Sequence, residues 1–192
     1  MAAIANMNSM DPFLRQWMFD SAVSSPGGWI FSAIDLKTAA DRLNWLSDPV
    51  RDEEPSVGLF AIYRMLMGMS LECLLKGILV AQGVQVVGKG DLTKEFATHA
   101  LTALALKIDN SAFTFMAGEL TTLANIEPYI LWAGKYPFPK RPEELQAKTH
   151  SSTELNREAE LWDRLYEHLK AVGWVMKGGN RLPLTHRFGS AG

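Results

Sequence analysis

Three groups of residues in this chain have the types and spacings that chemistry needs. Arg64, Gly68, Glu72 and Lys76 recur every four residues, so on a helix they form one slowly turning row. Glu72 followed by Lys76 one turn later is the favourable orientation for a helical ion pair. The default place for such a pair is solvent or a rim, where it contributes roughly a few tenths of a kcal/mol. If the row faces a cleft shared with another helix or subunit, Arg64 and Lys76 can attract a phosphate. Glu72 would then orient them, and Gly68 would allow close approach. A buried structural network is the remaining reading.

The second group is two arginine–histidine pairs. Arg181 and His186 have four residues between them, and Arg164 and His168 have three. Metal-free RNA cleavage needs one group to activate the 2′-hydroxyl or the leaving group, and a cation to stabilise charge at phosphate. Histidine and arginine suit those roles. In the bland reading His168 is a solvated surface residue paired with Arg164 or Glu160. His99, just after Thr98, reads as a capping-turn histidine, and a catalytic role for it requires a base or a phosphate partner. The third group is aromatic. Trp132, Tyr136 and Phe138 lie beside Lys135, Lys140 and Arg141. They suit a platform on which unpaired bases stack, or aromatics that pin a proline-rich loop to the protein.

The elements that position these residues read as helices. Gly58 to Gln82 is the longest apolar run and contains no proline. It is apolar almost all round, as expected for a helix buried on most sides, and Gly83 is its stop. Before it, Asp11-Pro12 opens a first helix, with aspartate as the cap and proline at the first turn. Ser24-Ser25-Pro26-Gly27-Gly28 ends that helix, and a second runs from about Trp29 to Ser47. Residues 48–55 form a charged loop. After Gly83, Thr98 caps a short helix to about Lys107. Asp109-Asn110-Ser111 caps another, carrying Phe113, Met116, Leu120, Leu123 and Ile126, which Pro128 kinks or restarts. Three prolines force residues 135–142 out of helix. A last helix starts at Ser151 or Ser152, suited at its N-terminal end by Glu154 or Glu158. Leu155, Leu161, Trp162, Leu165, Leu169 and Val172 give its apolar face. The fold class is all-α: a single bundle of five or six helices over residues 1–175, built on the long buried helix, with a flexible tail at 176–192.

Composition narrows the function classes. The chain has 192 residues, 47% hydrophobic and 21% charged, with a formal net charge of -2, so it carries no global basic footprint. Its one cysteine, Cys73, cannot form an internal disulfide and reads as a small buried hydrophobe in a reducing cytoplasm. Charges interrupt the apolar run, which argues against a membrane span. The N-terminus lacks the pattern of a secretory signal. Walker, Rossmann, HExxH and GxSxG motifs are absent, so neither a cofactor nor a metal is implied.

Four pieces, in order, resemble the HEPN superfamily (higher eukaryote and prokaryote nucleotide-binding). They are SLECLLKGILVAQG from Ser70 to Gly83, THALTALA from Thr98 to Ala105, GELTTL from Gly118 to Leu123, and GKYP from Gly134 to Pro137. The resemblance covers roughly Gly58 to Pro137. It implies an all-α bundle that forms homodimers, often in prokaryotic toxin–antitoxin or phage-defence systems. Active members are metal-independent ribonucleases marked by an arginine and, after four to six intervening residues, a histidine near the start of the last bundle helix. Here the spacing is met only by Arg181 and His186, in the tail and interrupted by Pro183. The Arg164–His168 spacing is one residue short. The expectation is therefore a binding or accessory module that contacts RNA, a nucleotide or a cognate protein partner. Candidate ligand contacts are Arg64, Glu72, Lys76, His99 and Tyr136. A ribonuclease and a structural or regulatory dimer are the alternatives.

Overall fold

The computed structural model describes residues 11–46, 57–133 and 152–172. Among them the chain is all-α apart from one minimal hairpin. The helices are α1 (Pro12–Val23), α2 (Pro26–Leu46), α3 (Val57–Ala81), α4 (Leu101–Ala105), α5 (Glu119–Pro128) and α6 (Ser152–Val172). A π-helical turn, Tyr129–Ala133, follows α5 directly. The charged loop, the proline-rich segment and the tail lie outside the described residues. No helix among the described residues is long and apolar enough to cross a membrane.

Local chemistry sets the helix starts. The Asp11 carboxylate accepts from Phe13 N at 2.7 Å and Leu14 N at 3.4 Å, with Pro12 in the first turn. The Pro26-Gly27-Gly28 stretch belongs to α2 rather than to a break before it. A first-turn proline lacks only a donor that the helix does not use. Gly28 admits the end of α1, because a Cβ there would stand 2.6 Å from Ala22 O. The indole of Trp29 closes this corner by donating to Val23 O at 2.8 Å.

Helix α3 packs along α2 and also touches α4, α5, the π turn and α6. Its Met67, Leu71, Leu74, Leu75, Ile78 and Leu79 are buried. It ends at Gly83 in the left-handed region, where Val84 N bonds back to Leu79 O at 3.0 Å. Beyond it, β1 (Val87–Gly88) and β2 (Asp91–Leu92) pair antiparallel around Lys89-Gly90, both at positive φ.

Two helices start later than the sequence pattern suggests. Thr98 does not cap α4 itself; its hydroxyl accepts from Ala100 N at 3.1 Å, and the helix begins at Leu101. Residues 113–116 are not helical, although Phe113 is buried. Instead, Gly118 at φ 90 starts α5, and Glu119 reaches back to accept from Met116 N at 2.7 Å. The break expected at Pro128 takes the form of the π turn. A proline has no N–H for the regular ladder, and a wider turn accommodates that loss.

One hydroxyl ties three helices together. Ser70 Oγ, on α3, donates to Ala33 O of α2 at 2.6 Å and accepts from Trp162 Nε1 of α6 at 2.7 Å. Ser70→Ala would leave a buried indole N–H without its acceptor. The expected loss is about 1–3 kcal/mol in urea denaturation. A loss below about 0.5 kcal/mol, the level of a neutral surface change, would contradict this role.

Candidate functional site

The polar row on α3 does not face solvent. Arg64, Glu72 and Lys76 are 1%, 7% and 4% exposed. Four residues advance an α-helix by about 400°, so each step of the row turns about 40°. The row therefore begins against α6 and the π turn and ends against α2 and the segment before α4. Gly68 is also used internally: a Cβ there would lie 2.7 Å from Ile130 Cγ1, so its close approach is to the π turn.

At the C-terminal end of the row, Glu72, Lys76 and His99 come together. Lys76 Nζ donates to Glu72 Oε1 at 2.7 Å, and His99 Nδ1 lies 2.9 Å from Glu72 Oε2. The Lys76 ammonium also sits 5.5 Å from the Trp29 ring centre and 5.9 Å from that of Phe96. These rings meet edge to face at 5.6 Å. The aromatic faces and the carboxylate thus replace water around a nearly buried cation. A carboxylate at Nδ1 favours the tautomer protonated there and leaves Nε2 as the acceptor. The His99 side chain is 53% exposed, so the ring is anchored on one edge and accessible to solvent. Its partner is 27 residues earlier in sequence, on α3, beyond the reach of local spacing.

At the other end, Arg64 of α3 and Glu158 of α6 form an ion pair, each side chain 1% exposed. The guanidinium lies over the Tyr129 ring at 4.8 Å and near Phe60 at 5.9 Å. Burial pushes the Glu158 carboxyl up to about 7, against the opposing pull of Arg64. Burial likewise raises the nearby Tyr63 and Tyr129 phenols. Beside the pair, α5 and α6 enclose a cleft of about 270 Å³ lined by Gly118, Thr121, Thr122, Asn125, Glu154, Arg157 and Glu158. Sequence reasoning placed Glu158 near a helix end and missed this role. The available signal was its spacing: Leu155, Leu161, Trp162 and Leu165 put Glu158 on the apolar face of α6.

The second candidate pair serves packing. Arg164 Nη1 donates to Glu119 Oε1, and Nη2 donates to Thr114 O at 3.1 Å. Its guanidinium stands 5.0 Å from the Phe113 ring centre, and His168 lies 5.2 Å from the same ring. His168 is half-buried, which lowers its basicity, and packs on Phe113 rather than lying in open solvent. Arg181, His186 and Tyr136 lie outside the described residues. The Cys73 thiol is pushed up to about 12, chiefly by burial, so it stays protonated at neutral pH. Among the described residues, no group of three His, Cys, Asp or Glu side chains could hold a metal. No protein-family model, curated protein or solved structure matches the chain.

Two outcomes follow for the ion pair. Glu158→Leu alone strands a buried guanidinium and is expected to cost about 3–5 kcal/mol. The double variant with Arg64→Leu should cost less than the sum of the two single changes, by about 0.5–3 kcal/mol in a denaturation cycle. Additive losses would contradict the coupling. The pH dependence has a definite sign. Glu158 binds its proton more tightly when folded (about 7 against 4.5), so its contribution to stability falls as pH rises through that window. Urea midpoints at pH 5 and pH 8 should show this fall in the wild type, and Glu158→Gln should lack it.

Proposed function

We propose that the chain is a HEPN-like binding or accessory module that contacts RNA or a nucleotide, without strong intrinsic catalysis. The observation that carries this reading is the condition of Arg164 and His168. They are the pair within α6 nearest to the catalytic spacing, yet Glu119, Thr114 and Phe113 occupy them. An arginine held by a carboxylate and a backbone carbonyl is not preorganised to meet a phosphate. The all-helical architecture supports the same reading. So does the placement of the family-like pieces: SLECLLKGILVAQG lies largely on α3, THALTALA carries α4, and GELTTL spans the start of α5. The expected setting is a prokaryotic defence or toxin–antitoxin system, with a cognate protein partner.

Association into a homodimer belongs to this proposal. Helix α1 buries none of its residues, and Phe13, Leu14, Trp17 and Met18 are 80%, 44%, 59% and 45% exposed. Such an apolar face suits a second copy of the same helix. Light scattering should give twice the chain mass, and Phe13→Asp with Trp17→Asp should return it to one. A wild-type monomer at every concentration would remove this part of the reading.

The catalytic question is settled by incubating purified protein with mixed RNA in chelator. The expected result is no strong cleavage, while labelled single-stranded RNA or a nucleotide binds. Robust cleavage lost in His186→Ala would instead make the chain a ribonuclease using Arg181 and His186; loss in His168→Ala would assign it to Arg164 and His168. Neither cleavage nor binding would leave a structural or regulatory dimer.

A further inference from the structure

We infer that the cleft between α5 and α6 is a nucleobase subsite, suited to the N–H donor edge of guanine, with Glu158 Oε2 as the acceptor at its floor. The inference deepens the binding-module proposal and rests on it for the class of ligand. Its own basis is a buried polar atom beside a cavity. Glu158 is fully buried, its Oε1 meets Arg64, and its Oε2 has no hydrogen-bond partner among the described residues. Leaving a buried carboxylate oxygen unpaired is costly, and a donor in the cleft that Glu158 lines would satisfy it.

The lining selects the chemistry. Glu154 and Glu158 supply two carboxyl groups; Arg157 in the cleft and Arg64 behind Glu158 supply two guanidinium groups. With Glu158 ionised in its pair with Arg64, the formal charge, two negative and two positive, sums to zero, which favours a neutral ligand over a free cation or anion. Thr121 adds a hydroxyl that can donate to a carbonyl, and the Asn125 amide donates to Glu154 Oε1 at 3.5 Å, which fixes one wall of the cleft. The cleft volume, about 270 Å³, has room for a single base. Among the bases, guanine presents two adjacent donors, N1–H and N2–H, beside the O6 acceptor. The Glu158 carboxylate suits the donors, and Thr121 or Arg157 suits O6. Adenine and cytosine each pair their amino donor with a ring acceptor on the same edge, and uracil offers a single N–H between two carbonyls. Arg157 is exposed at the cleft, where it can meet a phosphate attached to the base.

Isothermal titration of the full chain with guanosine, inosine, adenosine and cytidine tests this. Guanosine should bind, and inosine, which lacks the exocyclic amine, should bind about tenfold or more weakly, as expected when a hydrogen bond to a charged group is lost. Glu158→Gln should weaken guanosine binding, but it also disturbs Arg64. Thr121→Trp, at an exposed cleft position, fills the site without touching the ion pair. It should abolish guanosine binding while leaving the helical circular dichroism and the melting temperature unchanged. Absence of guanosine binding, or binding unaffected in folded Thr121→Trp, overturns the inference. Labelled single-stranded RNA in the same buffer separates the two proposals. RNA bound without guanosine overturns the subsite and leaves the module reading standing. Guanosine bound without RNA supports the subsite and removes the RNA arm of that reading. Neither bound overturns both.

Discussion

A guanidinium and a carboxylate share the interior of this bundle, and the positions of three elements follow from their contact. Arg64 comes from α3, Glu158 from α6, and the Tyr129 ring under the guanidinium comes from the π turn. Each ion alone would lose several kcal/mol of hydration on burial, and only the partner and the aromatic faces offset that loss. The pair therefore penalises any register in which α6 slides or turns on α3. One turn further along α3, the missing Cβ of Gly68 lets Ile130 of the same π turn approach. About one and two-thirds turns beyond Arg64, Ser70 joins α3 to α2 and α6. Polar contacts thus set the alignment of helices that apolar burial alone would hold in many nearby registers.

This arrangement explains why an otherwise apolar helix keeps a row of charges. Arg64 finds its partner on α6, and Glu72 on His99 just before α4. Lys76 is held by Glu72 and by the rings of Trp29 and Phe96. The two ends of the row differ in character. One end anchors a half-exposed imidazole, and the other buries a carboxyl whose charge is opposed by desolvation. Buried titratable groups beside a cleft are where ligand chemistry is commonly found. The row thus links the core to a half-exposed imidazole at one end and to the cleft beside Glu158 at the other.

The helical class was legible in the sequence because it rests on periodicity and on local stop and start chemistry. Asp11-Pro12 and Gly83 act where their types say they should. Pro26-Gly27-Gly28 misled because proline serves helix starts as well as breaks, and the glycines answer to the neighbouring Ala22 carbonyl. Phe113 and Met116 fit a helical stripe, yet Gly118 begins the helix, and Phe113 is instead buried beside Arg164 and His168. The candidate site was half legible. Glu72 and Lys76 pair through i,i+4 geometry, but their burial depends on helices that local sequence does not place. His99 could not be joined to Glu72 for the same reason. Glu158 carried a readable signal, a charge on an apolar stripe, that a helix-end explanation had absorbed.

The central claim is that Glu158 is buried against Arg64 at the cost of its ionisation. Carbon-detected NMR of the labelled side-chain carboxyl, followed across pH in the intact chain, measures this directly. The account predicts a midpoint pushed up to about 7 for Glu158. A midpoint at the ordinary glutamate value of 4.5 would contradict it, because burial would then not outweigh the pull of Arg64 on the carboxylate.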